Sequence, residues 1–325
     1  MRALVTGARG FVGRHLVEWA KQRGAEVTGT YRPGTEPPSD PGVEWVAWDV
    51  RDGDGARELL RDARPDRIFH LAAIASVAAA ERDRSQTLAI NTGGVLSLLE
   101  ALSEEDLDAR LVLASSCEVY GPGEPGHRLT EASPLYPVTF YGVSKWMAEE
   151  TAKLFSRRGI EVMILRPFNH IGPGQAPAFV SSSFARQIVA MERGLQPPQL
   201  KTGNLEVIRD FSDVRDVVRA YWLASETGES GRVYNVASGA PTSVQGLLEL
   251  LLEQTDLEVE IVRDPSLSRA NDNPYLVGEA ERARDELGWR PELALRQTLY
   301  DLLVEWRERS DDEVLMRRLS GAPRS

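Results

Sequence analysis

The sequence predicts an α/β fold, a doubly wound parallel sheet with a smaller, interleaved carboxy-terminal lobe. Three observations lead there. Short β-branched or apolar runs alternate with amphipathic stretches through the first half of the chain, and strands that alternate with helices build a parallel sheet covered on both faces. A glycine-rich turn, "VTGARGFVG", separates the first of these runs from the first amphipathic stretch. After Pro167 the alternation gives way to Gly/Pro-rich turns, "NHIGPGQAPAF" and "GLQPPQLKTGN".

Taken in order, "RALVTG", "AEVTGTY", "VEWVAWDV", "RIFHLAA", "ARLVLASS" and "EVMILRP" read as strands. The segments between them have helical spacing, including two long stretches, Val77–Leu102 and Tyr141–Phe155. Helical runs resume at Asp213–Ser225 and Ser243–Gln254. The expected organisation is a dinucleotide-binding domain over residues 1–167 with a return segment at 205–238. A substrate lobe over 168–204 and 239–310 and a loose tail at 311–325 complete it.

A chain of 325 residues, 42% hydrophobic and 27% charged, is long enough for one large α/β unit or two modest domains. Its net charge of −11, with no basic run, argues against a general nucleic-acid or anionic-membrane binder. One cysteine cannot close an intramolecular disulfide. The amino terminus reads as a strand entering a glycine turn rather than a targeting segment, and no apolar run reaches membrane-spanning length. A cytoplasmic protein is expected, with no nucleic-acid or membrane partner and no metal.

Chemistry enters at the glycine loop. Gly7, Gly10 and Gly13 allow a tight turn and close backbone approach, so that the following helix can hold a pyrophosphate at its amino terminus. This is the dinucleotide-binding arrangement of a Rossmann-type sheet. An NAD site usually carries Asp or Glu after the second strand to bind the ribose hydroxyls. Here that region reads "GTYRPG", with Arg32 in place of the acid. Arg32 and Arg9 could pair with a 2′-phosphate through planar forks of donors, so NADP(H) is favoured and NAD(H) is allowed.

In "YGVSK", Tyr141 and Lys145 are four apart and share one helix face. A nearby ammonium favours phenolate over phenol, and is expected to draw the tyrosine down from its ordinary value of about 10 towards operating pH. Tyr141 then becomes a usable general acid or base.

With these residues in place the sequence resembles the extended short-chain dehydrogenase/reductase superfamily along nearly its whole length. The markers are "TGARGFVG", "WDV", "HLAA", Asn91, "SSCEVYG", "YGVSK" and "RPFNHIGPGQ". The resemblance implies a catalytic set of Ser116, Tyr141, Lys145 and Glu118, with Ser116 polarising the reacting carbonyl. It implies a cofactor site of Gly7, Arg9, Gly10, Phe11, Val12, Gly13, Arg32, Asp49, Val50, Leu71, Ala72, Ala73, Tyr141, Lys145, Pro167 and Phe168. Asp49 would meet the adenine, and Pro167 and Phe168 would border the nicotinamide.

"FNHIGPGQ", "FARQIV", "GNLEVIRDFSDVRDVVRAYW", "YNVASG" and "ELGWRP" narrow the resemblance to the GDP-6-deoxy-4-keto-mannose reductases, near the GDP-mannose 4,6-dehydratases. The substrate implied is a hexose on a nucleoside diphosphate, met by Ser116, Glu118, Asn169, Val180, Asn204, Arg209, Arg269 and Asp272. Arg209 and Arg269 would take the diphosphate, since guanidinium matches phosphate oxygens bidentately. Where relatives carry a Ser or Thr and a Glu after "RP", this chain reads "RAND", so Asp272 replaces the longer carboxylate.

Cys117 is a poor nucleophile candidate. A thiolate needs a base or cation beside it, and its chain neighbour is the acidic Glu118. The dTDP-glucose dehydratases place an aspartate at the position of Cys117, and a thiol is a weak acid for expelling hydroxyl. GDP-mannose dehydratases and the reductases both keep only the glutamate, so Glu118 is common to both. The activity expected is therefore reduction of a nucleotide-linked 4-keto-6-deoxyhexose at C4, giving GDP-D-rhamnose, in a homodimer. A dehydratase or epimerase that recycles bound cofactor is the alternative enzyme, and a dinucleotide-binding sensor the alternative of another class.

Overall fold

The structure is a computed structural model that describes residues 1–105, 107–267 and 273–309. It opens with β1 (Arg2–Thr6), α1 (Phe11–Gln22), β2 (Glu26–Tyr31), β3 (Val43–Ala47), α2 (Gly53–Ala63) and β4 (Arg67–His70). α3 (Val77–Arg82), α4 (Arg84–Leu88), a π-helical turn at Ala89–Gly93 and α5 (Gly94–Glu104) follow. β5 (Arg110–Ala114), a 3₁₀ turn at Cys117–Val119, α6 (Phe140–Ser156) and β6 (Val162–Pro167) complete the first half.

The later elements are β7 (Asn169–Ile171), α7 (Val180–Glu192), β8 (Gln199–Thr202), β9 (Ile208–Asp213) and α8 (Val214–Thr227). They continue with β10 (Val233–Val236), β11 (Pro241–Ser243), α9 (Val244–Leu252), β12 (Glu260–Arg263) and β13 (Tyr275–Leu276). α10 (Glu281–Leu287) and α11 (Leu295–Arg309) close the described chain.

Seven strands form one sheet in the order β10-β6-β5-β4-β1-β2-β3, every pair parallel. Alternate residues of each strand enter opposite cores. Leu4, Ile68, Leu111, Leu113 and Ile164 face the α2, α5 and α6 side, whereas Ala3, Val5, Phe69, Val112 and Leu165 face α1 and α8. Both faces are covered, as the near-continuous apolar runs require. Strand order reverses between β1 and β4, the place where open α/β sheets bind ligands beyond their strand ends.

The second lobe carries a small sheet of β11, β9 and β13, with β7 also paired to β9, and a β8–β12 pair. Its own core joins Ile171, Phe184, Ile188, Leu247, Leu303 and Trp306 from α7, α9 and α11. Of the expected return segment, β9 lies in this small sheet, and the chain rejoins the large one through α8 and β10.

The stretch Val77–Leu102 is divided rather than continuous. Asp83 leaves helical geometry at φ −135° and caps α4 by accepting from Gln86 N, and the π turn then swings Asn91 inward. Three strands also end earlier than their apolar runs. Trp48–Val50, Leu71–Ala73 and Ser115–Ser116 have left the ladder and line a cleft.

Candidate functional site

A cleft of about 1610 Å³ runs along the carboxyl ends of the large sheet and under the second lobe. At one end lies the glycine loop. Gly7 has φ +68°, and a Cβ there would stand 2.8 Å from Ala72 N. A Cβ at Gly13 would meet Gly7 O at 2.3 Å. The loop is thus pressed between β4's end and α1, and no side chain caps α1, whose cap residue is Gly10. These residues fit a dinucleotide, since the amino-terminal N–H groups of α1 are left for a pyrophosphate.

The rim beyond β2 carries Thr30, Tyr31, Arg32 and Thr35, with no carboxylate among them. Arg9 Nη1 donates to Thr35 Oγ1 at 3.1 Å and Glu36 O at 2.7 Å, so it ties the glycine loop to the loop after β2 instead of pointing free beside Arg32. Asp49 is held by Arg51, whose guanidinium lowers its carboxyl to about 2. Arg51 also lines the cleft and escaped sequence reasoning, because nothing in its spacing distinguishes it from a surface arginine.

At the other end of the cleft, the chain leaving β5 delivers Ser116 and α6 delivers Tyr141 and Lys145. Thr139 Oγ1 caps α6 by accepting from Gly142 N at 3.0 Å. Gly142 lets the helix sit against the Cys117–Val119 turn, since a Cβ there would lie 2.6 Å from Glu118 O. Ser116 and Tyr141 line the cleft together, and the serine hydroxyl acts on the phenol against the effect of burial. Asn91 Oδ1 accepts from Ile74 N, and its Nδ2 donates to Ile74 O and Ser144 Oγ, which pins α6 to the segment after β4.

The expected lowering of Tyr141 by Lys145 is not what the geometry gives. Lys145 Nζ donates to Ala114 O at 2.7 Å and is 6.0 Å from the Tyr141 ring centroid. Burial pushes the phenol up, with the Ser116 hydroxyl opposing it. Lys145 is shifted the other way, lowered by burial to about 8 against the pull of Glu149. Tyr141 is accordingly held as the phenol, the protonated form a general acid requires. His70, beside them, is lowered to about 3 by burial and then by the Lys145 charge.

Cys117 is 4% exposed, and burial followed by Glu118 pushes its thiol well above the ordinary range. A protonated, buried thiol is no nucleophile.

The cleft brings together the whole expected cofactor set together with Ser116, Glu118, Asn169 and Val180. Its wall, among the described residues, does not include Asn204 or Arg209. Asn204 Oδ1 accepts from Glu206 N at 3.1 Å, and Arg209 Nη1 donates to Ile208 O at 2.9 Å in a side chain only 9% exposed. Arg269 and Asp272 lie outside the described residues.

Sequence reasoning also missed a clasp across the cleft. Phe11 on α1 stacks on His170 of β7, with centroids 6.0 Å apart and an interplanar angle of 8°. Arg14 and His15 from the same helix reach Gly174 O and Pro173 O.

Residues 3–237 match the model of the NAD dependent epimerase/dehydratase family. The chain is 37% identical over 314 residues to the GDP-6-deoxy-D-mannose reductase of Pseudomonas aeruginosa, covering 96% of this chain and 99% of the relative. It is 25% identical to a GDP-mannose 4,6-dehydratase of Vibrio cholerae, covering 97% and 96%. The solved structure of RMD from Pseudomonas aeruginosa complexed with NADPH superimposes with a TM-score of 0.83 at 36% identity, covering 95% of this chain and 99% of that one.

Proposed function

Since the chain belongs to the NAD dependent epimerase/dehydratase family, we propose that it reduces the C4 ketone of GDP-4-keto-6-deoxy-D-mannose to GDP-D-rhamnose with a nicotinamide cofactor, NADPH before NADH. The observation that carries the reaction type is the convergence of Ser116, Tyr141 and Lys145 at the sheet end of one cleft whose other end is the glycine loop. Full-length similarity to a GDP-6-deoxy-D-mannose reductase supports the substrate class.

A bound nicotinamide supplies the hydride that reaches C4. Ser116 orients the carbonyl through its hydroxyl. Tyr141, a phenol raised by burial, gives its proton to the C4 oxygen as negative charge develops there. Lys145, lowered to about 8, is mostly ammonium at neutral pH and places a positive charge beside that oxygen. Arg32 stands directly after β2, where an acid would hold a ribose diol, and suits a 2′-phosphate better than a bare diol.

Glu118 in the cleft and the similarity to a GDP-mannose 4,6-dehydratase favour dehydration as a second reading. Incubating the protein with a panel of nucleotide-linked 4-keto-6-deoxy sugars, while following NADPH absorbance, separates the two. Stoichiometric NADPH consumption with the GDP-linked sugar is expected. Conversion of GDP-mannose without net consumption would overturn the reductase reading.

We propose a homodimer as the working unit, through α5 and α6. Leu96, Trp146, Met147 and Leu154 on these helices are 39–52% exposed, an apolar surface suited to a symmetric contact. Light scattering at micromolar concentration should give twice the chain mass. Among the described residues, no helix is long and apolar enough to cross a membrane.

A further inference from the structure

Glu149 is fully buried, and the proposed chemistry makes no use of it. It sits on α6, one turn beyond Lys145 and two beyond Tyr141. Arg166 on β6 grips both oxygens, with Nε to Oε1 at 2.8 Å and Nη2 to Oε2 at 2.6 Å. Ser115 Oγ donates to Oε1 at 2.5 Å. The remaining Nη1 of Arg166 donates to Tyr120 Oη, which donates to Asn235 Oδ1. Asn235 Nδ2 in turn donates to the carbonyls of Leu129 and Glu279.

Stability alone does not account for such a pair. Burying two charges is costly, and apolar side chains of similar volume are often as stable or more so. Placement is what distinguishes it. Lys145 is bonded to Ala114 O and Glu149 to Ser115 Oγ, so consecutive residues at the end of β5 are stitched to consecutive turns of α6. The next residue is Ser116, which lines the cleft with Tyr141.

We propose that Glu149 is a positioning residue for Ser116, Tyr141 and Lys145: locked by Arg166, its carboxylate fixes the end of β5 against α6 and faces Lys145 from one turn away. The inference rests on the reading of these three residues as the reacting set. Glu149 also opposes the burial that lowers Lys145. Other titratable groups around that helix are Tyr141, neutral His70 from β4, and Lys153, whose Nζ is 3.8 Å from Glu149. Glu118, from the turn beside α6, acts on Tyr141, and Glu81 from α3 accepts from Phe140 N.

The double variant Glu149→Leu/Arg166→Met removes the pair without stranding either charge. Lysine occurs at four positions, Lys21, Lys145, Lys153 and Lys201, so ¹³Cε-lysine NMR can follow Lys145 without substrate. The expected result is a folded protein with unchanged NADPH binding and a Lys145 midpoint lower by about one pH unit. Its kcat should fall about ten-fold or more, with the sugar KM within about three-fold of wild type.

A folded double variant with the wild-type Lys145 midpoint and wild-type kcat overturns the proposal. If no 4-keto sugar is turned over by the wild type, the proposed reaction fails on its own, and the Lys145 midpoint still decides: moved supports the positioning role, unmoved overturns it. If the double variant does not fold, Ser115→Ala decides, because it removes only one hydroxyl bond to Glu149 and leaves its pair with Arg166 in place. A kcat at least about three-fold lower at unchanged KM supports the role, and an unchanged kcat overturns it.

Discussion

Lys145 Nζ donates to the carbonyl oxygen of Ala114 at 2.7 Å, so the ammonium four residues after Tyr141 is held by the end of β5 and not by the phenol itself. The bond fixes the charge at the floor of the cleft, and burial lowers Lys145 to about 8. The acid–base behaviour of the site is therefore set by the lysine at the alkaline end.

The first prediction follows from the sign of that shift. Below about pH 8 Lys145 carries its proton and the site its positive charge, and above it both are lost. The kcat/KM for ketone reduction should hold through neutral pH and fall with a midpoint near 8, where an unburied lysine would place the fall near 10.4. Lys145→Met should lower kcat by about 10²-fold or more, and a pH–rate profile checks both.

Arg32 sets the second. It stands on the cleft rim at the position after β2 where an acid would hold a ribose diol, and Arg9 braces the loop beside it through Thr35 and Glu36. Arg32→Asp should narrow or reverse the preference for NADPH over NADH. Equal ratios of kcat/KM for the two cofactors in wild type and variant would remove the 2′-phosphate assignment.

The third concerns Gly142. A Cβ at this position would lie 2.6 Å from Glu118 O and 3.0 Å from Pro137 Cβ, so an alanine must lift α6 off the turn that follows Ser116. Overpacking of this kind costs about 1–3 kcal/mol. Gly142→Ala should lower the melting temperature and reduce kcat more than it raises KM, because the displaced parts are Ser116 and Tyr141. Thermal melting and steady-state kinetics on one sample test it.

Gly142 also shows where the sequence stops being informative. The short, near-continuous apolar runs made β1 to β6 readable, and the glycine spacing in "VTGARGFVG" made the dinucleotide end of the cleft readable. Both are local patterns. The runs did not show where the ladder stops, since Asp49, Leu71 and Ser115 extend the same pattern into the cleft wall. The break at Asp83 was hidden because helical apolar spacing continues on both sides of it. Spacing placed Tyr141 and Lys145 on one face of α6 but could not aim the amine, so it gave the wrong direction for Tyr141. The Glu149–Arg166 pair joins two elements with no sequence pattern between them.

Glu118 and Tyr141 give the last prediction, because the two readings of the site assign them opposite weights. Both line the cleft beside Ser116. In a single reduction no proton leaves sugar C5, so Glu118 serves as a contact or acceptor, and Glu118→Gln should retain most ketoreductase activity. Tyr141 must give a proton to the developing alkoxide in every turnover, and loss of a positioned general acid typically costs about 10²–10⁴-fold. Tyr141→Phe should therefore be nearly inactive while still folded and binding NADPH. Dehydration would instead require a base at C5, so Glu118→Gln would abolish exchange of the C5 proton in deuterated water. Stopped turnover in Glu118→Gln together with C5 exchange in the wild type would move the assignment to a dehydratase, with the dinucleotide end of the cleft unchanged.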